Sequence, residues 1–170
     1  MIISGKKIRT LRALKKIAYQ ARRAGKIVVT TNGCFDILHP GHVANLEWAK
    51  SRGDMLVVGV NSDASVRANK GPYRPIVPAR DRARVIASLG AVDYVFIFGD
   101  NDPLKWLETI KPSLHVKGRG SKQEFQATLS LMQSVLKKNK GRLIFFPHLG
   151  QYSTTSIVKA ITRLIKKGSK

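Results

Sequence analysis

Two histidines at helical spacing are the residues in this chain with the clearest capacity for chemistry. His39 and His42 enclose Pro40 and Gly41, and residues three apart lie on one face of a helix. Pro40 suits the first turn of a helix because it has no amide hydrogen to leave unpaired. The free amides of such a turn point towards an anion. Two imidazoles beside them could hold the phosphates of a nucleotide and stabilise charge while a phosphoryl bond is exchanged.

The alternatives for these histidines are a zinc site and a simple helix cap. The other two histidines, His115 and His148, lie at no recognisable ligand spacing, and Cys34 is the single cysteine. The sequence therefore predicts no metal held by protein ligands. A helix cap without chemistry stays open on the residue types alone.

Glycines and hydroxyls supply further candidate contacts to phosphate. Gly33, after the first apolar run, lets the backbone approach a ligand closely because it has no side chain, and Gly41 leaves room in the same way. A cluster of hydroxyls opens the last predicted helix, at Ser153, Thr154 and Thr155. The free amides there would form a second anion site, and the alternative is a plain helix cap.

The elements that must position these residues alternate between helix and strand. Apolar residues at helical spacing predict an amphipathic helix over about 8–24. Short apolar runs rich in β-branched residues predict buried strands at 27–31, 55–60, 94–98, 114–116 and 143–146. Further helices are predicted over about 41–51, 81–89, from 103, 125–136 and 154–166. Residues 61–79 contain three prolines, which predict a long loop carrying Lys70 and Arg74.

This alternation predicts a Rossmann-like three-layer α/β sandwich with a five-stranded parallel sheet and right-handed crossovers. We expect a single domain over residues 1–170, with the basic helix 8–24 preceding a core of about 25–167. In such sheets, ligands bind at the carboxyl ends of the strands where the strand order reverses. Because the histidines follow the first strand, we expect them to lie at that edge.

Composition excludes several classes of protein. With one cysteine in 170 residues, an intramolecular disulfide is impossible, which favours a reducing cytoplasm. No apolar run approaches the roughly 18 residues of a membrane span. The apolar residues of the last helix, Ile161, Leu164 and Ile165, are expected to pack on the sheet. A cytoplasmic protein is the prediction.

Positive charge is concentrated at the two ends of the chain. The formal net charge is +21, and residues 1–26 and 125–170 each carry nine Lys or Arg and no acid. Such ends attract polyanions, either nucleic acid or an anionic membrane surface. A catalytically weak protein that binds nucleic acid through its basic ends is therefore one alternative function. A solvated basic face without a partner is the interpretation we prefer from sequence alone.

Five motifs in chain order carry a family resemblance, at residues 31–42, 61–66, 74–78, 116–118 and 152–157. With them the sequence resembles the cytidylyltransferase-like nucleotidyltransferase superfamily, whose signature is a His-x-Gly-His after the first strand. Within it the motifs look most like the adenylyltransferases that make ADP-heptose from D-glycero-β-D-manno-heptose 1-phosphate. Enzymes acting on glycerol 3-phosphate or related alcohol phosphates share most of these motifs, so a cytidylyltransferase is the alternative.

The resemblance implies a reaction and a set of site residues. A nucleoside monophosphate, AMP from ATP, would pass to a phosphorylated sugar or polyol with release of pyrophosphate. Mg²⁺ would be bound through the nucleotide phosphates, and the enzyme would be a homodimer. The implied catalytic residues are His39, His42 and Lys70. Nucleotide contacts are implied for Thr31, Asn32, Gly33, Phe35, Gly41, Lys117, Gly118, Ser153, Thr154 and Thr155. Acceptor contacts are implied for Asp63 and Arg74.

Two places in the sequence need separate comment. Where the family pattern has Gly-Gly-Asp after Lys117, this chain has Gly118-Arg119-Gly120, so the acidic residue is replaced. A change there bears on the choice of nucleotide or acceptor. Asp36, which precedes the histidines, could orient the histidine turn or lie near the metal, and the role we expect for it is to cap the helix that follows.

Overall fold

The computed structural model describes residues 3–118, 126–147 and 153–168. Its strands are β1 Val28–Gly33, β2 Met55–Asn61, β3 Tyr94–Phe98, β4 Leu114–Gly118 and β5 Arg142–Phe146. Its helices are α1 Ile3–Lys7, α2 Leu11–Arg23, α3 Pro40–Lys50, α4 Asp63–Lys70, α5 Ala79–Ser88, α6 Leu104–Ile110, α7 Gln126–Lys138 and α8 Thr154–Gly168. All five strands pair in parallel, in the order β3-β2-β1-β4-β5.

Helices cover both faces of this sheet. Successive side chains of a strand point to opposite faces, and Val28 and Val29 accordingly enter two different apolar clusters. The Val29 cluster contains Leu46 of α3 and side chains of α5. The Val28 cluster contains Leu14 of α2 and Trp106 of α6, together with side chains of α7. The predicted three-layer α/β fold is confirmed.

The order of the strands reverses beside β1. Thr31 pairs with Val58 of β2 on one side and with Val116 of β4 on the other. The chain builds outward from β1 through β2 to β3, then crosses over to β4 and continues to β5. The carboxyl ends of β1 and β4 therefore form the crevice where open parallel sheets bind ligands.

The prediction of one long loop over 61–79 is wrong, because α4 occupies its first half. Ser62 caps this helix with its hydroxyl, which accepts a hydrogen bond from the amide of Ser65 at 3.2 Å. Val66 is buried and anchors the helix in the fold. The prolines follow α4, so the irregular segment is confined to residues 71–78.

Helices α2 and α8 also differ from expectation. Helix α2 begins at Leu11 rather than near residue 8, because Thr10 caps it and Ile8 forms a parallel bridge with Val95 beside β3. On α8, Ile161, Leu164 and Ile165 are 49%, 70% and 64% exposed, so the expectation that they pack on the sheet is wrong. No helix within the described ranges is long and apolar enough to cross a membrane.

Candidate active site

The turn between β1 and α3 carries both candidate histidines at the carboxyl edge of the sheet. Phe35 has a positive φ of 50°, which folds the chain sharply back after the strand. A Cβ at Gly33 would lie 3.1 Å from the Phe35 ring, a tight contact that the ring could accept only by shifting slightly. The buried Phe35 ring also meets His42 edge-on, with centroids 5.2 Å apart. Phe35 thus holds His42 in place from inside the core.

The two imidazoles stack on each other. Their ring centroids are 3.7 Å apart and their planes differ by 23°. His39 is the residue before the first turn of α3, yet its side chain makes no capping bond. The Nδ1 atoms of both rings are buried and have no hydrogen-bond partner in the described part of the protein. Buried polar atoms without a partner are rare, and they are satisfied when a ligand or water binds.

Burial makes these imidazoles neutral at physiological pH. It lowers the pKa of His42 to about 4, with the neighbouring His39 acting in the same direction. Burial also lowers the pKa of His39. A neutral imidazole has one N–H donor and one acceptor nitrogen. The pair therefore offers hydrogen bonds from neutral rings at pH 7.

The end of β4 forms the facing wall of the crevice. The pairing of β1 with β4 ends at Thr31 and Val116, and the next residues of the two strands, Asn32 and Gly33 on β1 and Lys117 and Gly118 on β4, follow at the same edge of the sheet. Burial lowers the pKa of Lys117, an effect opposed by the thiol of Cys34. The Oδ1 atom of Asn32 is another buried polar atom that no described residue satisfies. These residues meet at one edge, as expected for a nucleotide crevice.

Helix α3 closes the same crevice from above. A Cβ on Gly118 would lie 3.4 Å from Nδ2 of Asn45, so the end of β4 is in contact with the helix that begins at the histidines. Gly41 lies in the first turn of that helix, where amides lack intrahelical acceptors. Thr31 of β1 is almost fully buried, and its contact with the nucleotide remains a prediction.

Asp36 organises the segment that follows α4 and does not cap α3, so the expected cap is wrong. Its Oδ1 accepts hydrogen bonds from the amides of Ile76 and Val77 at 2.8 and 2.9 Å. Its Oδ2 forms an ion pair with Nε of Arg74. This carboxylate, with a fully buried side chain, ties residues 74–77 to the histidine turn.

Arg82 is a buried clamp that sequence reasoning missed. Its side chain is 1% exposed and donates to the carbonyls of Cys34, Asn61 and Val77. It also pairs with Oδ1 of Asp63 at 2.7 Å. The clamp therefore connects the ends of β1 and β2 with α4 and the 71–78 segment. The sequence holds one signal, since position 82 falls on the buried face of α5 with Ala83 and Ile86.

The predicted acceptor residues already have structural partners. Oδ1 of Asp63 accepts from the amide of Ala79 as well as from Arg82. Arg74 is held by Asp36 and remains partly exposed. Lys70, the exposed last residue of α4, is close enough for its charge to act on the thiol of Cys34, whose pKa burial raises. Cations therefore border the turn, and their acceptor contacts remain predictions.

A family model described as cytidylyltransferase-like matches residues 30–160, a span that runs from within β1 to within α8 and includes both candidate histidines. The chain belongs to the cytidylyltransferase-like family. The expected family and the enzyme class, nucleotidyltransferase, are thereby confirmed.

Curated relatives of this cytidylyltransferase-like chain include bifunctional proteins named HldE. That of Syntrophotalea carbinolica is 40% identical over 162 residues, which cover 95% of this chain and 32% of the relative. That of Helicobacter pylori is 44% identical over 150 residues, covering 88% of this chain and 31% of the relative. The chain thus spans about a third of the length of these relatives.

Two solved structures share the fold. A lipopolysaccharide core biosynthesis protein from Thermoplasma volcanium is 32% identical with a TM-score of 0.64, and the match covers 74% of this chain and all of that one. A pantoate-β-alanine ligase from Francisella tularensis matches with a TM-score of 0.62 over 90% of this chain and 76% of that chain. At 16% identity, this second likeness concerns the fold alone.

The closing motif of the family is described only in part. Ser153 and Ser156 bond reciprocally, each backbone amide donating to the other's hydroxyl at 3.0 Å, so Ser153 caps α8. Thr154 is half-buried and Thr155 is exposed. Their contact with phosphate remains a prediction. Arg119 and Gly120, where the family pattern departs, lie outside the described residues.

The donor set of the crevice suits a metal carried by the substrate. Within residues 3–118, 126–147 and 153–168, no group of three or more His, Cys, Asp or Glu side chains could hold a metal ion. The carboxylate in the histidine turn, Asp36, is already engaged by Arg74 and two amides. Mg²⁺ prefers oxygen ligands and commonly binds through substrate phosphates. Its presence on the nucleotide stays a prediction for this cytidylyltransferase-like site.

Proposed function

We propose that this protein transfers AMP from ATP to a phosphorylated sugar, heptose 1-phosphate, and releases pyrophosphate. The stacked His39–His42 pair carries the proposal, because its buried Nδ1 atoms are unsatisfied at the edge of the sheet where ligands bind. The five sequence motifs and the HldE relatives support this choice of substrates. We further propose a cytoplasmic homodimer, as the single cysteine and the family resemblance suggest.

The reaction requires positioning and charge stabilisation more than proton transfer. An oxygen of the acceptor phosphate attacks the α-phosphorus of the triphosphate, and the bond from that phosphorus to the pyrophosphate oxygen breaks. The acceptor phosphate is already anionic at pH 7, so it needs no general base. Hydrogen bonds from His39 and His42 stabilise the charge that develops on the phosphoryl oxygens. Such preorganised donors cost no rearrangement when the reaction occurs.

The remaining residues of the crevice orient the substrates. Gly33, Gly41 and Gly118 allow the backbone to approach the nucleotide, and Asn32 and Lys117 offer polar contacts beside it. Lys70 balances negative charge from the 71–78 side of the turn. Mg²⁺ on the phosphates neutralises part of the triphosphate charge when it is bound. The hydroxyls at Ser153, Thr154 and Thr155 add a second contact to phosphate.

The decisive experiment is pyrophosphate release by the purified protein with Mg²⁺. ATP, CTP, GTP and UTP are each combined with heptose 1-phosphate, other sugar 1-phosphates, glycerol 3-phosphate and ethanolamine phosphate. We expect release with ATP and heptose 1-phosphate, and release slower by about 10²-fold or more with His42→Ala protein purified in the same way. Release with CTP and glycerol 3-phosphate would replace the proposal by a cytidylyltransferase. Nucleotide binding without release from any pair would contradict it.

A further inference from the structure

A basic groove lies between α2 and the end of α6, away from the histidine turn. From α2 it is lined by Arg12, Lys15, Lys16, Tyr19 and Arg22. From the end of α6 it is lined by Thr109 and Lys111. Its volume of about 390 Å³ falls within the usual range of ligand sites. Because α2 and α3 contribute to apolar clusters on opposite faces of the sheet, the groove and the histidine helix lie on opposite sides of it.

The residues of α2 that line the groove form one row along the helix. Residues 12, 15, 19 and 22 are spaced by three or four positions, which places them on a single face of α2. Leu14 and Ala18 on the other face are fully buried in the core. At 1.5 Å per residue, the row from Arg12 to Arg22 extends about 15 Å. Packing of the core explains the apolar residues on the buried face of α2, but it does not explain why the opposite face is basic.

No acid balances this charge within the groove. Five of its seven lining residues are cationic, and none is acidic. The ion pairs found in the described part of the chain involve none of these five. Arg22 is fixed in position because it donates to the carbonyl of Ile110 at 2.5 Å. Like charges held this close repel each other, and a bound polyanion would relieve that repulsion.

An exposed aromatic ring lies within the row of cations. Tyr19 is 57% exposed, and the row places it between Lys15 and Lys16 on one side and Arg22 on the other. Proteins that bind single-stranded nucleic acid combine a positive groove for the backbone with aromatic rings on which bases stack. Attachment to an anionic membrane would instead require apolar side chains to enter the lipid. The groove has no aliphatic side chain in its lining.

We propose that the groove between α2 and α6 binds single-stranded nucleic acid. The Lys and Arg side chains contact phosphates, and Tyr19 stacks on a base. This proposal does not depend on the proposed reaction, since it uses no residue of the histidine crevice.

The test is the fluorescence anisotropy of a labelled 12-nucleotide single-stranded RNA of uridines. The variant Arg12→Gln/Lys16→Gln removes two groove charges, and Lys159→Gln/Arg163→Gln removes two exposed charges from α8. We expect the groove variant to bind about tenfold more weakly or worse and the α8 variant to bind within about threefold of wild type. The slope of log Kd against log salt concentration should fall by about 1.4 in the groove variant, since each phosphate contact of a single strand contributes about 0.7. Equal losses in both variants would overturn the proposal, because net charge alone would then explain binding.

Two further sets of measurements test whether a base stacks on Tyr19 and whether the RNA lies in the groove. Tyr19→Ala should weaken binding about tenfold while Tyr19→Phe keeps it, because the ring stacks without its hydroxyl. Saturating ATP with Mg²⁺ should leave RNA binding unchanged, and displacement by ATP would place the RNA in the histidine crevice and refute the groove. Vesicles of phosphatidylglycerol that compete fully with RNA, with no effect of Tyr19→Ala, would assign the groove to a membrane surface instead. The thermal unfolding midpoint, which should not change, shows that each variant is folded.

Discussion

At the scale of single residues, the proposed chemistry depends on two neutral imidazoles in contact. A buried imidazole could cap a helix, but His39 makes no capping bond, and the Nδ1 atoms of both stacked rings lack a hydrogen-bond partner among the described residues. The pair is supported from inside the core by the Phe35 ring. Support of this kind fixes the donors before substrate arrives, which is the condition for electrostatic catalysis.

Replacing His42 by Ala should reduce kcat for pyrophosphate release by about 10²-fold or more, because a preorganised transition-state donor is removed. His39→Ala should act in the same direction. Steady-state kinetics with ATP and the acceptor phosphate provide the measurement, and the urea unfolding midpoint serves as the control for folding. Wild-type rates in both variants would remove these histidines from the mechanism.

His115 is expected to make stability fall as the pH is lowered. It is fully buried on β4, and burial lowers its pKa from 6.5 to about 3, while Thr30 supports it with a 2.9 Å hydrogen bond. Between these two values the unfolded chain binds more protons than the folded one, so acid favours unfolding. By pH 5 this residue should cost about 2 kcal/mol of the stability present at pH 7.

The measurement is urea unfolding at pH 7, 6 and 5 for wild type and His115→Asn. The variant keeps a polar side chain facing Thr30 and no longer titrates. We expect it to be less stable at pH 7 but to lose less stability on acidification. Parallel pH profiles for the two proteins would show that His115 is not responsible. His42, whose pKa is also lowered, should contribute to the slope that remains.

At the scale of elements, α5 matters because one of its side chains joins four segments. Arg82→Met would leave Asp63 and the carbonyls at the ends of β1 and β2 without their donor. We expect a loss of about 3 kcal/mol in the free energy of unfolding. The KM for ATP should also rise, because the histidine turn and the 71–78 segment would lose their common support.

Arg84→Met is the matched control for this prediction. Arg84 lies on the same helix, is 69% exposed and is 3.9 Å from Asp81, so its loss should change stability by about 0.5 kcal/mol or less. Arg82→Lys provides a folded protein with fewer donors if the methionine variant unfolds. Similar urea midpoints and KM values for the Arg82 and Arg84 variants would show that the clamp has no special role.

Local patterns explain why the strands could be predicted from sequence and why α4 could not. Residues 55–60 are apolar throughout and include three β-branched valines, because β2 is buried on both faces. Residues 61–79 contain prolines that suggest a loop, and the capping residue Ser62 was the signal that a helix precedes them. The exposed face of α8 was mispredicted because an apolar stripe on a helix indicates that it favours burial, but the sequence does not show which surface would bury it.

The residues of the candidate site also differ in whether a local sequence pattern could reveal them. The His-x-Gly-His spacing is local, so both histidines could be named from the sequence. Arg82 could not, because three of its partners are backbone carbonyls that carry no side-chain signature. Asp36 was misassigned for a related reason, since its partners lie about forty positions along the chain.

At the scale of the whole molecule, charge and chemistry occupy separate parts of the chain. Residues 27–124, which hold the histidine turn, carry 13 bases and ten acids, while 18 further bases lie at the ends. We expect the KM for ATP to change less than about threefold between 50 and 200 mM salt, whereas RNA binding weakens by tenfold or more over that range. Kinetics and anisotropy in the same buffers provide the comparison. If the KM for ATP increased with salt as steeply as the Kd for RNA, the basic ends would contribute to ATP binding in the crevice.

The central position of β1 also affects how the protein forms during translation. This strand emerges from the ribosome before the other four and can pair with β2 soon afterwards, but its other edge has no partner until residues 114–116 have been made. Until then, the nascent chain holds the histidines with only one wall of the crevice. A ribosome-stalled chain ending before β4 should therefore bind no nucleotide, and this capacity should appear only when β4 has cleared the exit tunnel.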